Sequence, residues 1–368
     1  MTSVVIAAGG TGGHIYPGLA VADAFRRAEP DVRLSFIGTS RGLEQRLIPP
    51  AGWELHMVDM VPFVGWRRGV LPAALVRAAT QARGILRAEG AEVVVGMGGY
   101  PSIPVIIAAR WLRIPAIIHE SGAVAGRANR IAARFTPHVA VAFESARGTF
   151  NANVTSRVIG MPLSAEMAAF DRDRLRSAAR ASFGVNDDRF LFVVNGGSQG
   201  SARLNDAAVG LADRWQDRDD VHVVVKAGTA HVEQVQASID ERNLGKVATC
   251  VRYFDRPDEW YAAADLGLTR GGAGTVAELA LTGLPAIIVP YPFHTDDHQA
   301  LNAGALVDLG AALMVRDNQA TAEHIGPVVE DLIEDRAKLA AMAAAARSAS
   351  HPHAADDLAA WALELSHS

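Results

Sequence analysis

Residues 266–303 read L-G-L-T-R-G-G-A-G-T-V-A-E-L-A-L-T-G-L-P-A-I-I-V-P-Y-P-F-H-T-D-D-H-Q-A-L-N-A. A short apolar run, Leu266 to Leu268, ends at Thr269-Arg270 and meets Gly271, Gly272 and Gly274. Val276, Leu279 and Ala280 are spaced for one buried helix face, and Gly283-Leu284-Pro285 stops that helix. Ala286 to Val289 is short and β-branched enough to be a buried parallel strand. Glycines at such a junction let the backbone approach a ligand, and the free N–H groups of a helix start suit an anion. Glu278 lies in the first turns, where a carboxylate either accepts two ribose hydroxyls or caps the turn. Gln299 and Asn302, three apart on the next helix, share one face.

Outside this stretch, composition sets the bounds. A chain of 368 residues with 49% hydrophobic content is too large for one typical core and comfortable for two. A net charge of −5 argues against a nucleic-acid partner. The lone Cys250 excludes disulfides within the chain and thiolate metal sites. The start, M-T-S-V-V-I-A-A-G-G, lacks the basic region and cleavage site of a signal peptide. No window approaches the ~20 apolar residues of a spanning helix. A P-loop motif is absent. Lysine occurs only at 226, 246 and 338, so arginine carries nearly all the positive charge.

The strand–glycine–helix unit recurs along the chain. Val4 to Ala8 opens into Gly9-Gly10-Thr11-Gly12-Gly13-His14 and a helix from Pro17 to Ala28. The second strand, Leu34 to Gly38, runs into Thr39-Ser40-Arg41 without the acid that NAD would want. His14 stands at a helix start, where the dipole favours the neutral imidazole, so it is either a candidate general base or a packed turn residue. Val93 to Val95 meets Gly96-Met97-Gly98-Gly99-Tyr100, and Ile117-Ile118 leads to His119-Glu120. Helix is expected over Arg127–Phe135, strand over Val139–Phe143, and the first domain's last strand over Val158–Pro162. The pattern restarts with Phe190 to Val194, Asn195-Gly196-Gly197-Ser198-Gln199-Gly200-Ser201 and a helix from Leu204 to Trp215. Further strands follow at Val221–Lys226, Thr249–Tyr253, Leu266–Leu268, Ala286–Val289 and Leu313–Val315. Two doubly wound, Rossmann-like α/β domains facing across a cleft are therefore expected, residues 1–162 and 163–350, with a C-terminal helix in 354–368 bracing the first.

Residues 61–87 break this pattern with five arginines and no acid, interleaved with Phe63, Trp66, Leu71, Leu75 and Val76. Apolar groups with a basic fringe suit an anionic bilayer surface, while an amphipathic helix packed on the sheet would show the same pattern. No Asp-x-Asp stands at a strand end, so the sequence calls for neither metal nor other cofactor.

Five motifs in register over nearly the whole chain resemble the MurG family of peptidoglycan transferases. They are Gly9 to His14 with Pro17, Gly98-Gly99-Tyr100 with Ser102 and Pro104, His119-Glu120, Gly196 to Gly200, and Thr275 to Glu278 with Gln299 and Asn302. The resemblance implies the glycosyltransferase B fold and inverting transfer of N-acetylglucosamine from UDP-N-acetylglucosamine to the C4 hydroxyl of undecaprenyl-pyrophosphoryl-N-acetylmuramoyl pentapeptide. It implies that Ser198, Phe254, Ala273, Gly274, Thr275, Val276, Ala277, Glu278 and Gln299 hold the donor. Thr11, Gly12 and Gly13 would lie by the sugar and diphosphate, with His14 as base and Glu120 as the other candidate. It further implies peripheral attachment through 61–87, with Trp111, to the cytoplasmic face of the bacterial membrane. Cell-wall synthesis and division proteins would be partners there. The sequence departs from the family at Ser121-Gly122, at Gly160-Met161-Pro162-Leu163-Ser164 and at Thr269 to Ala273, so two family contacts, an asparagine and an arginine, are not carried over. Other lipid-directed transferases of this fold, a sugar-nucleotide 2-epimerase and a non-catalytic nucleotide-sugar-binding subunit are the alternatives.

Overall fold

Apolar runs, several of them closed by glycine, become parallel strands in the computed structural model, which describes residues 1–60, 71–151, 153–197, 199–254, 256–293 and 297–367. The chain divides into two units, one of Met1–Ala168 with His351–Ser368 and one of Ala169–Ser350.

In the first unit, β1 (Ser3–Ala7), β2 (Arg33–Gly38), β3 (Glu54–Met57), β4 (Val93–Gly96), β5 (Ala116–Glu120), β6 (His138–Val141) and β7 (Thr155–Val158) form a parallel sheet ordered β3-β2-β1-β4-β5-β6-β7. Val93 to Val95 are fully buried because helices cover both faces of the sheet. On one face the helix Gly12–Ala28 buries Ile15, Val21 and Phe25 against Leu358 and Trp361 of the helix Ala354–Ser366. On the other, the helix Leu71–Ala88 turns Ala78, Ala79, Ala82 and Leu86 inward onto the helix Ser102–Leu112.

The second unit repeats the plan with β8 (Phe190–Asn195), β9 (Val221–Lys226), β10 (Ala248–Val251), β11 (Leu266–Thr269), β12 (Ala286–Ile288) and β13 (Ala312–Met314), ordered β10-β9-β8-β11-β12-β13. All its pairings are parallel. Three arginines of the helix Arg172–Ser182 close the end of the helix Pro257–Ala263. Arg172, Arg176 and Arg180 donate to the carbonyls of Ala262, Ala263 and Ala264, and Asp265 is the carboxylate they share. These are carbonyls that a helix end leaves without partners of its own.

Strand order reverses between β1 and β4, and again between β8 and β11. Open α/β sheets bind ligands at such reversals, outside the carboxyl ends of the strands. The four glycine turns stand at those two places.

Besides shifts of a few residues at element ends, structure and expectation differ at three places. The edge strand β3, E-L-H-M, was not expected, since its polar alternation is weak. The last strand of the sheet ends at Val158, because Gly160 (φ 86°) turns the chain where the apolar run had suggested a strand. The first helix begins at Gly12 rather than Pro17.

Candidate active site

At the first reversal, His14 sits in the opening turn of the helix Gly12–Ala28, beside Thr11, Gly12 and Gly13. Its Nδ1 is 3.3 Å from Thr11 Oγ1, and the ring also donates to the Gly9 carbonyl. Gly9 O and His14 Nδ1 both border the spot a Gly99 side chain would fill, at 3.1 and 3.3 Å. A neutral imidazole carries one N–H and one lone pair, so the ring can serve both as donor and as acceptor. Burial lowers the His14 pKa below 6.5, with the Gly9 bond opposing it, so the ring is neutral near neutral pH. Gly98 and Gly99 have φ of 89° and 75°, and a Cβ on Gly98 would come 3.2 Å from His14 Cδ2. Bare backbone is what lets the second glycine turn lie against the imidazole.

His119 and Glu120 end β5. His119 is fully buried; its Nε2 lies 3.0 Å from the Gly160 carbonyl and its Nδ1 3.3 Å from Ser121 Oγ. Burial chiefly lowers its pKa to about 4. Glu120 turns both carboxylate oxygens into its own loop. Oε1 accepts from Gly122 N at 2.8 Å, and Oε2 from Gly126 N at 2.9 Å and Asn129 Nδ2 at 2.8 Å. Ser121 and Gly122, where the sequence departs from its family, are thus members of this local network.

The second reversal carries the other residues singled out in the sequence. After β8, Asn195 Oδ1 accepts from Gly197 N at 3.0 Å and from Lys226 Nζ at 3.3 Å, while Nζ also reaches Gly197 O at 2.6 Å. Ser198 lies outside the described residues. After β11, the helix Ala273–Thr282 contains Ala273, Gly274, Thr275, Val276, Ala277 and Glu278 and begins without a side-chain cap. Its opening N–H groups suit an anion. Gln299 Oε1 accepts from Gly271 N (3.1 Å) and Tyr291 N (2.9 Å), and Asn302 Nδ2 donates to Gly271 O (3.1 Å). Those two amides fix the glycine turn.

Glu278 Oε2 accepts the Tyr261 hydroxyl at 2.5 Å. Burial raises the Glu278 pKa, while that bond and the charge of Lys226 pull it down. Phe254 stacks on Trp260 at 5.6 Å and meets Phe183 edge-on. Arg270, just after β11, is engaged within its unit. Its guanidinium bonds Asp317 Oδ1 and Ser201 Oγ, both at 2.7 Å, and the Val289 carbonyl.

The structure therefore gathers Thr11, Gly12, Gly13 and His14 at one reversal, places Glu120 two strands along, brings Ala273 to Glu278 and Gln299 to the other, and sets Phe254 beyond the edge strand β10. Sequence reasoning missed Asn129, Asn195, Lys226 and Tyr261. For Asn195 and Lys226 a signal existed, since each ends a strand at a ligand-binding sheet edge.

Residues 4–141 match the glycosyltransferase family 28 N-terminal domain and residues 191–358 its C-terminal domain. Curated relatives include the UDP-N-acetylglucosamine--N-acetylmuramyl-(pentapeptide) pyrophosphoryl-undecaprenol N-acetylglucosamine transferases of Mycobacterium bovis and Rhodococcus erythropolis. The first is 42% identical over 99% of this chain and 89% of its own length. The second is 38% identical over 99% and 94%. Among solved structures, the chain is similar to Acinetobacter baumannii MurG, with TM-score 0.82, 28% identity and coverage of 99% and 100%. The UDP-GlcNAc 2-epimerase of Neisseria meningitidis shares the fold, with TM-score 0.71 at 12% identity and coverage of 99% and 100%.

Proposed function

This chain belongs to glycosyltransferase family 28, and from that premise we propose the reaction and the residue roles that follow. It is an inverting hexosyltransferase of peptidoglycan synthesis. It moves N-acetylglucosamine from UDP-N-acetylglucosamine to the C4 hydroxyl of undecaprenyl-pyrophosphoryl-N-acetylmuramoyl pentapeptide. The observation that carries this is likeness to transferases of that name at about 40% identity over nearly the full length of both chains.

In the first unit, His14 Nε2 takes the proton of the acceptor's C4 hydroxyl. The hydroxyl oxygen bonds to C1 of the sugar as the bond from C1 to the diphosphate breaks, and UDP leaves with the electron pair. The neutral ring supports this role, because one of its nitrogens carries a lone pair at working pH. Thr11, Gly12 and Gly13 line the path of the transferred sugar. Glu120 holds the loop 122–129, which fits the bonds it accepts from Gly122, Gly126 and Asn129 better than proton transfer does.

In the second unit, Glu278 accepts the ribose hydroxyls and the opening turn at Ala273, Gly274 and Thr275 faces the diphosphate. Val276 and Ala277 continue the donor wall, Gln299 donates to the sugar, and Phe254 and Ser198 border the nucleotide. Residues 61–87 attach the protein to an anionic membrane surface on the cytoplasmic face, where cell-wall synthesis and division proteins are partners. Phe63 and Trp66 lie outside the described residues; the described helix Leu71–Ala88 shows Val76 and Arg77 to solvent and Trp111 is half exposed. Among the described residues no helix is long and apolar enough to cross a membrane.

The test is incubation with radiolabelled UDP-N-acetylglucosamine and a panel of lipid acceptors. Label should enter only the undecaprenyl-pyrophosphoryl muramoyl peptide. Transfer to diacylglycerol or sterol would assign another lipid-directed activity, and donor binding without transfer would leave a non-catalytic subunit.

A further inference from the structure

Lys226 ends β9 as a buried ammonium at the second reversal, and it has no carboxylate in ion-pair contact among the described residues. Its two bonds run to neutral oxygens, the Gly197 carbonyl at 2.6 Å and Asn195 Oδ1 at 3.3 Å. An ammonium has three N–H groups, so one remains. Glu278 acts on Lys226 through space, yet its Oε2 is already taken by Tyr261. Tyr253 offers only a ring face, at 5.7 Å. A charge withdrawn from water is costly unless it is paired, and beside the glycine turn that follows β8 the fold keeps a cation whose compensating carboxylate, Glu278, acts only through space. Arg270, the other buried cation at these strand ends, has its guanidinium committed to Asp317, Ser201 and backbone carbonyls. The leaving group of the proposed reaction is an anionic diphosphate, for which a helix start supplies only partial charges.

We propose that Lys226 is the cationic contact for the diphosphate of the UDP donor, given through its third N–H. The inference rests on the donor assignment above and deepens it. Burial pulls the Lys226 pKa down and Glu278 holds it up, so an arriving diphosphate would further secure the charged form.

The experiment is calorimetric binding of UDP and of uridine to the full chain, wild type and Lys226→Gln. Glutamine removes the charge but keeps an amide donor for the Gly197 carbonyl. UDP affinity should fall at least ~10-fold while uridine affinity stays within about twofold. UDP affinity within twofold of wild type overturns the proposal, as does an equal loss for uridine, which would make Lys226 a brace or a nucleoside contact. Glu278→Ala separates the two levels. If neither variant weakens UDP, the donor site itself is misassigned; if only Glu278→Ala does, the Lys226 contact alone fails. A second readout does not depend on the glutamine variant folding. With only three lysines, side-chain-labelled wild type gives three ammonium-bearing signals, assigned with the exposed-site variants Lys246→Arg and Lys338→Arg. UDP, and not uridine, should move the Lys226 signal, and an unmoved signal rejects the contact.

Discussion

Tyr261 donates to Glu278, its phenol oxygen 2.5 Å from Oε2 and its ring fully buried. The bond fixes one oxygen of the carboxylate and offsets the rise in pKa that burial imposes on it.

Glu278→Ala should therefore weaken UDP binding by ~10–100-fold, since a hydrogen bond to a charged group is worth about 1.5–3 kcal/mol. Tyr261→Phe should weaken it less at high pH and more as pH falls, because the carboxylate then protonates more readily. Calorimetry at about pH 6 and pH 8 reads both effects. Unchanged UDP affinity in Glu278→Ala would remove the ribose assignment.

His14→Ala should lower kcat by ~10²–10⁴ with UDP affinity nearly unchanged. Burial lowers the His14 pKa, so the wild-type acid limb should lie below pH 6.5, where the base becomes protonated. That limb should vanish in His14→Ala and persist in Glu120→Gln. The opposite pattern would exchange the roles of the two residues.

Gly98→Ala tests the seat of the imidazole. The new Cβ would sit 3.2 Å from His14 Cδ2 on a backbone with φ of 89°. A shift of the ring by a fraction of an ångström should cut kcat at least ~10-fold without changing donor affinity. Wild-type turnover in a folded Gly98→Ala protein would mean that the ring's position is not critical.

Asp265→Ala strips the shared counter-charge from Arg172, Arg176 and the fully buried Arg180, leaving Arg180 only the exposed Asp187. The second unit should lose roughly 3–5 kcal/mol, the usual cost of breaking a buried ion pair. Urea unfolding measures it, and a loss below ~1 kcal/mol would show that the carbonyls and Asp187 suffice for the arginines.

Acid should destabilise both units over the same window. His119 and His222 are buried and each has its pKa lowered from 6.5 to about 4. The unfolded chain therefore binds the extra protons first. Stability is complete above pH 6.5 and falls as pH drops toward 4, by an order of 3 kcal/mol per histidine. His119→Asn should flatten the first unit's share of that slope; an unchanged slope would assign it elsewhere.

How legible these features were depended on whether they are local. Val93 to Val95 and Ala286 to Val289 announce themselves as strands because both faces of a parallel strand are buried. The glycine turns and His14 are visible because chain direction and helix start are written in neighbouring residues. Glu54 to Met57 was not legible, since its pairing partner on β2 supplies the evidence for it. Nor was the use of Glu120, whose three donors come from residues two to nine positions later in a loop of no regular period. Lys226 stood out only as a rare residue; its importance comes from Gly197, far off in sequence and adjacent in space.

The helix Ala354–Ser366 closes the core beneath the helix that carries His14, and His351 packs directly on Gly160. A ribosome releases the chain in the other direction. Once residue 168 has emerged, Val4, Ile6 and Phe25 wait for about 180 further residues before their cover arrives, roughly ten to forty seconds at ~5–20 residues per second. The second unit carries its whole core within that intervening stretch and can mature first. On the roles proposed above, a nascent chain thus completes its donor-binding unit before the helix that carries His14 is covered, and a polypeptide stalled near residue 350 would bind UDP without transferring sugar.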